Sequence, residues 1–410
     1  MARDRGRFGG AQALQAFRSP DFRLLWSART VSLIGDGAFL IALGWRTTTL
    51  TGSATSLAIV LMAHSLALLT TLLVGGALAD RYSRRMLMIA SDIARFAIIG
   101  ALAVVDAGGL LTFPLLLVIA VGFGLADGFF YPAAGGIVPL VVEPHELPSA
   151  NTLIGVSRQG AFVIGPALAG TIYGLAGSAV VFGFDAMTFL VSAALLVATR
   201  PRSFEPEPSE GTFHAIAEGV RYVVRVPWLW VGIAVTSFVL MVAMAPFQAL
   251  APTFVAEQFD QGVGAYGLLF AFEALGMTIG MIVFGQINPR HRRIWQIFGL
   301  LALNDLFAVL MTLQGSYDVA AALMVVRGTL IGYAIGVWST LMMEWVPEAK
   351  LARVTSLDFF GAIGLVPLGY ALTALVSQTV APATILTVGF TLAGLGWASP
   401  LLVRRVRNAA

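Results

Sequence analysis

Residues 54–85 read ATSLAIVLMAHSLALLTTLLVGGALADRYSRR. Up to Gly76 this stretch holds a single ionisable side chain, His64. A helix rises ~1.5 Å per residue, so about 20 mostly apolar residues cross the ~30 Å hydrocarbon layer of a membrane. The run predicts a membrane-spanning helix over 54–76. It ends in Asp80-Arg81-Tyr82-Ser83-Arg84-Arg85, a charge density that belongs at a membrane surface.

The rest of the chain repeats this pattern. Of 410 residues, 58% are apolar and 11% are charged, and mean hydropathy is +0.85. A soluble chain carries ~25% charged residues. The composition excludes a soluble enzyme, a disordered chain and a nucleic-acid binder. Without cysteine there is no disulfide, no thiol chemistry and no Cys-ligated metal. Apolar runs fall at roughly 24–49, 54–76, 86–105, 112–134, 150–174, 179–199, 228–252, 263–285, 294–314, 319–342, 354–377 and 381–403. They are too long for membrane strands, and a helix satisfies its own backbone inside lipid. The expected fold is an all-α membrane protein of twelve transmembrane helices.

Charge sets the expected orientation. With the N-terminus inside, the inner segments hold Arg3, Arg5, Arg7, Arg18 and Arg23, and the later clusters Arg81, Arg84, Arg85, Arg200, Arg202, Arg221 and Arg225. Arg290, Arg292, Arg293, Lys350, Arg353, Arg404, Arg405 and Arg407 follow, also inside. The outer loops carry acids only, among them Asp106, Glu257, Asp260 and Asp318. Basic residues favour the cytoplasmic side, so both termini are expected in the cytoplasm and the protein in the plasma membrane of a bacterium. The same asymmetry accounts for the net charge of +3 without nucleic acid. The segment before the first span is too polar for a cleaved signal peptide.

Residues 200–227 interrupt the pattern with Pro201, Pro206, Pro208 and Pro227 among Glu205, Glu207, Glu210 and several arginines. Phe213, Ile216, Ala217, Val220 and Val224 recur there at helical spacing. One reading is an amphipathic helix on the inner membrane face, the other a solvated linker with a helical turn. The linker divides the chain into a six-helix bundle over 1–199, a cytoplasmic linker over 200–227 and a second bundle over 228–410. The halves echo each other. Gly76 to Arg85 is matched by Gly285-Gln-Ile-Asn-Pro-Arg290-His-Arg292-Arg293, and Gly165-Pro166 by Pro367-Leu368-Gly369. Such duplication is expected of a secondary transporter.

Gly76-x-x-x-Asp80-Arg81-x-x-Arg84-Arg85 resembles motif A of the major facilitator superfamily, with Ser83 where a glycine is usual. Gly165-Pro166-Ala-Leu-Ala-Gly170 resembles the end of that family's antiporter motif, although the upstream glycines do not match in register. Phe22-Arg23-Leu24-Leu25-Trp26, Gly35-Asp36-Gly37, Leu50-Thr-Gly-Ser53, Asp92-x-x-Arg95, Ala150-Asn151 and Arg353-Val354-x-Ser356-Leu357-Asp358 are similar to the 12-span drug:proton antiporter group, which includes macrolide efflux proteins and the enterobactin exporter. The resemblance implies two six-helix bundles with pseudo-two-fold symmetry and a central cavity lined by helices 1, 4, 7 and 10. It also implies that Asp80 meets the start of helix 11 and locks the outward-facing state, with Asp92, Arg95 and Asp127 completing the network. The plainer reading of the basic cluster is that it sets topology.

Ionisable groups inside a bilayer are costly and are candidates for function. Asp36 lies central in helix 1 between two glycines, suited to carrying a proton one way and attracting a substrate the other. The alternative is a structural acid bonded to a neighbouring helix. Glu273 precedes Gly276-x-x-x-Gly280 in helix 8, and small residues let helices approach closely. It reads either as a second protonation site or as half of a fixed pair with Arg158 of helix 5. His64 suits a proton relay, since imidazole changes charge near neutral pH, but a lone histidine also reads as packing. Arg327 of helix 10 is expected to pair with Asp36 or Glu273, or to bind an anion. Asp305 reads as a structural partner, and Arg46 and Asp185 as residues nearer the outer face. Phe129, Phe130, Tyr131, Phe238, Phe247, Tyr333, Trp338, Phe359 and Phe360 offer adaptable aromatic walls for hydrophobic substrates.

No Walker-type loop is present, so ATP does not power the protein directly, and neither cofactor nor metal site is expected. The expected function is proton-coupled export of amphipathic small molecules or drugs by a monomeric antiporter. A dedicated siderophore or lysolipid exporter is the alternative. A non-transporting receptor or scaffold is disfavoured by the intramembrane acids.

Overall fold

Proline and glycine fix how closely these helices approach. The computed structural model describes residues 14–79, 81–202, 212–287 and 291–403. It contains twelve helices long and apolar enough to cross a membrane. They are α1 (Pro20–Thr51), α2 (Ala54–Gly76), α3 (Arg84–Ala107), α4 (Phe113–Gly136), α5 (Pro144–Ala176) and α6 (Ser178–Ala198). The second set is α7 (Pro227–Phe259), α8 (Val263–Ile287), α9 (Arg293–Thr312), α10 (Tyr317–Trp345), α11 (Arg353–Val376) and α12 (Pro382–Leu402). No strand occurs among the described residues. The chain is an all-α membrane protein of twice six helices.

The observed ends lie close to the apolar runs, except that α5 begins at Pro144, ahead of the run expected from residue 150, and that α7 ends late. The seventh run was expected to stop at residue 252, yet α7 continues to Phe259. Phe254, Val255 and Phe259 are buried and extend its packed face. Inside α7, Leu240–Met244 forms a π turn. Pro246 offers no N–H to the Val242 carbonyl, and a π turn absorbs such a mismatch. Gly389 of α12 accommodates that carbonyl, because a Cβ there would lie 2.3 Å from it. The same device recurs in α4. Pro132 leaves the Gly128 carbonyl without its helical donor, and a Cβ on Gly75 of α2 would approach that oxygen to 2.4 Å.

Glycine also sets the α2–α4 and α8–α10 crossings. A Cβ on Gly124 would meet the His64 carbonyl at 2.3 Å, and one on Gly328 would meet the Glu273 carbonyl at 2.0 Å. His64 and Glu273 thus occupy equivalent places in the two halves. Gly276, Gly280 and Gly332 continue the second crossing, each within 2.2 Å of a facing carbonyl if given a Cβ.

By contacts the chain divides into two units, Met1–Leu43 with Ala63–Glu207, and Gly44–Met62 with Pro208–Ala410. The segment Gly44–Met62 therefore groups with the second unit, where Thr55 Oγ1 lies 2.9 Å from Ser377 Oγ. Between the halves, Thr212–Arg225 forms the linker helix. Ala217, Val220 and Val224 are exposed along it. On another side, Glu218 pairs with Arg353 at 2.6 Å and Lys350 at 3.6 Å, and Lys350 lies 5.0 Å from the Tyr222 ring. An exposed apolar stripe opposite a polar anchor fits the amphipathic reading. The side chains of Phe213 and Ile216 lie outside the described residues.

Candidate functional site

In the first unit α3 carries Asp92 and Arg95 one helical turn apart, a spacing that brings side chains together. Arg95 pairs with Asp92, and its Nη1 lies 3.3 Å from Asp127 Oδ1 on α4. Asp127 Oδ2 is 3.2 Å from His64 Nε2 on α2. Ser192 of α6 donates to Asp92 Oδ2 at 2.7 Å. The Arg95 guanidinium lies 3.9 Å from the Phe130 ring centre and 4.4 Å from that of Phe189. One chain of polar contacts therefore crosses four helices, clad in aromatic rings. Its arginine is 2% exposed, and two carboxylates with two ring faces offset the cost of burying it. The sequence had separated His64 from the Asp92–Arg95–Asp127 group. Only the fold joins them.

Asp36 lies on α1. A Cβ on Gly37 would lie 3.2 Å from the Ala161 carbonyl and 3.3 Å from Gly165 Cα and Pro166 Cδ. One on Gly35 would strike Asp185 and Thr188 of α6 at 2.3 Å. The two glycines flanking Asp36 thus wedge α1 between α5 and α6, and the Gly165-Pro166 pair of α5 is the surface that α1 meets. Gly170 is buried on the same helix. Asp185, expected nearer the outer face, is wholly buried against the Gly35 backbone, and its Oδ2 has no hydrogen-bond partner. The reason is that α6 begins at Ser178, which carries Asp185 about two turns inward. Asp36 itself is half-buried, with Arg95 and Asp127 as electrostatic neighbours.

Sequence reading missed Arg29. It stands seven residues before Asp36, hence on the same helical face. Its Nη1 donates to the Ala134 carbonyl at 3.2 Å, and Arg158 and Tyr131 are its electrostatic neighbours. Arg158 is exposed, 6.0 Å from the Phe162 ring. The seven-residue spacing to Asp36 was the available signal.

The second unit repeats the motif with reversed charge. Glu273 of α8 pairs with Arg327 of α10 at 3.6 Å, which realises one of the pairings expected for Arg327. The Arg327 guanidinium lies 5.0 Å from the Phe390 ring and 5.6 Å from that of Phe247, and Nη1 contacts Met324 Sδ at 3.0 Å. Asp305 of α9 accepts from Asn304 at 3.1 Å, while Asp305 Oδ2 and Arg327 Nε lack partners. Arg327 and Glu273 are the charges nearest in effect to Asp305.

The aromatic candidates disperse. Phe130 lies against Arg95. Trp338 Nε1 donates to Asp358 at 3.1 Å and its ring meets Trp228 edge-on. Tyr333 donates to Gln296 at 3.0 Å. Phe238 faces α12, 3.2 Å from a Cβ placed on Gly396.

At the charged end of α2 and α3, Arg84 donates to the Gly136 carbonyl at 2.6 Å and Arg85 to the Leu196 carbonyl at 2.9 Å. Both satisfy carbonyls at helix C-termini, where cations are favoured. Arg81 is exposed. A Cβ on Gly76 would meet nothing within 4 Å. Asp80 lies outside the described residues. Among the described residues no cluster of three His, Asp or Glu has the arrangement of a metal site.

Comparison with known proteins agrees with this architecture. The chain is 27% identical over 392 residues to the enterobactin exporter EntS of Salmonella choleraesuis (strain SC-B67), covering 91% of each chain. It is 26% identical over 384 residues to EntS of Escherichia coli O139:H28 (strain E24377A / ETEC), covering 90% of each. Its fold is similar to an inward-facing, occupied bacterial homologue of the human lysosomal transporter Spinster, with TM-score 0.71, 15% identity, and 94% and 95% of the two chains covered. A bacterial homologue of the iron transporter ferroportin, also inward-facing, gives TM-score 0.71 at 16% identity over 92% and 98%. The Major Facilitator Superfamily model matches residues 25–366. That span takes in both charge clusters and both glycine crossings, and the chain belongs to the Major Facilitator Superfamily.

Proposed function

We propose that this transporter exports amphipathic small molecules from the cytoplasm in exchange for protons, by alternating access between its two halves. The observation that carries the reading is the placement of several acids inside the membrane, one of them, Asp185, with an unpartnered oxygen. Asp36 is half-buried beside a wholly buried Asp185, and His64 shares Asp127 with Arg95. Such groups are retained in a bilayer for proton or substrate handling. Asp36 takes the coupling role, with His64–Asp127 and Glu273 as secondary proton-accepting groups. The basic clusters favour cytoplasmic termini in a bacterial inner membrane. The test is efflux from inverted vesicles with and without an imposed pH gradient. Uphill transport that ignores the gradient overturns the coupling.

A second reading is a dedicated exporter of an anionic siderophore. It is favoured by Arg29 and Arg158 on neighbouring helices of the first unit and by relatives named as enterobactin exporters. Binding of one lipophilic cation and one catecholate anion, measured in parallel, separates the two. Anion binding abolished by Arg29→Ala, with no cation binding, supports the siderophore.

A further inference from the structure

A groove of about 690 Å³ opens in the second unit between the end of α8 and the start of α9, floored by α10. Val283, Ile287, Leu300 and Leu330 make its walls apolar, and Trp295 stands half-exposed at its side. The rim is basic, formed by His291 and Arg292. Both are exposed, and Arg292 pairs with no acid among the described residues. Its neighbour Arg293 differs, being turned inward onto Glu344.

The rim is built rather than incidental. Tyr333 donates to Gln296 Oε1 at 3.0 Å from the groove floor, and Gln296 Nε2 donates to the His291 carbonyl at 3.1 Å. Arg292 adopts φ +54°, a left-handed conformation that a residue with a side chain rarely takes. This backbone turn sets Arg292 and Arg293 on different courses, one to the rim and one to the interior.

We propose that this groove binds an anionic phospholipid of the inner leaflet. The head group meets Arg292 and His291, and an acyl chain lies along Ile287, Val283 and Leu330. Charge complementarity selects the occupant. Basic pockets between transmembrane helices on the cytoplasmic side hold anionic head groups, and a tryptophan at that depth marks the interface between head groups and hydrocarbon. The inference rests on the orientation proposed above, with the α8–α9 connection inside.

The experiment is native mass spectrometry of the full protein in detergent, titrated with phosphatidylglycerol or phosphatidylcholine of identical chains. Wild type is expected to retain the anionic lipid about fivefold better, the scale of one arginine at a head group. Arg292→Gln should bring the two lipids level. Gly299 lines the groove, and a Cβ there meets nothing within 4 Å, so Gly299→Phe fills the groove without touching its charge. It should lower retention of both lipids. Equal retention by wild type overturns the proposal, as does anionic lipid retention unchanged in both variants. Displacement of the lipid from wild type by millimolar inorganic phosphate, with phosphate itself bound equally by Gly299→Phe, identifies a free-anion site and also overturns it. Retention is read without transport, so an absence of proton-driven efflux leaves this result standing.

Discussion

A buried charge is tolerated only with partners, and here each half supplies them differently. Arg95 has two carboxylates and two rings, so removing Asp92 leaves a cation under-compensated in a dry site. Asp92→Ala is expected to lower stability by about 3–5 kcal/mol, measured by thermal unfolding in detergent. A melting curve equal to wild type contradicts the geometry of that cluster. Asp36 is the opposite case. It lies among glycines that hold α1 in place, and its carboxylate joins none of the described ion pairs. Asp36→Asn is therefore expected to abolish gradient-driven efflux while the protein remains folded in the membrane. Loss of expression instead would assign Asp36 a structural role, and undiminished efflux would end its coupling role.

At the scale of helices, the decisive contacts are between backbones. Gly328 and Gly332 bring α10 so close to α8 that a Cβ would lie 2.0 Å and 2.1 Å from facing carbonyls. No side-chain rearrangement relieves such a clash, so Gly328→Val should destabilise the second half by at least the ~1–3 kcal/mol of overpacking. Gly174 of α5 is a control, since a Cβ there meets nothing within 4 Å. Gly174→Ala should leave the melting temperature within a degree or two, and equal losses from both would show that helix propensity, not contact, sets the cost. The π turn in α7 belongs to this scale too. Gly389→Ala should displace Val242 and lower stability, whereas Gly299→Ala in the open wall of α9 should not.

At the scale of the molecule, alternating access needs contacts that exist in one state only. The resemblance assigns that role to Asp80, beside the basic groups that Arg84 and Arg85 direct onto helix ends. Asp80→Asn is expected to slow transport and to shift the population toward the inward-facing state, because a contact of the other state is lost. Spin labels on the inner ends of α2 and α8, read by double electron–electron resonance, test this. An unchanged distance distribution would leave the motif as a topology signal. The linker helix makes a separate link, through Glu218 to Arg353 at the start of α11. It ties the connection between the halves to the second of them.

The sequence by itself determined the membrane class, the number of spans and most of their limits. These follow from local hydropathy over a fixed membrane thickness, which needs no knowledge of neighbours. It also marked most of the intramembrane charges, because such residues are conspicuous in an apolar run. It missed Arg29, which lies near the end of a span and reads there as one more basic residue of the inner flank. It stopped α7 seven residues short, because Glu257 and Gln258 break the apolar pattern before the helix ends. What only the tertiary structure decided is which charge meets which. Asp127 joins His64 to Arg95, Glu273 takes Arg327, and Asp185 goes to the Gly35 backbone. Pairing depends on the rotation and closeness of helices distant in sequence. Those are set by glycine–carbonyl contacts and proline-freed carbonyls, whose partners a single chain does not spell out.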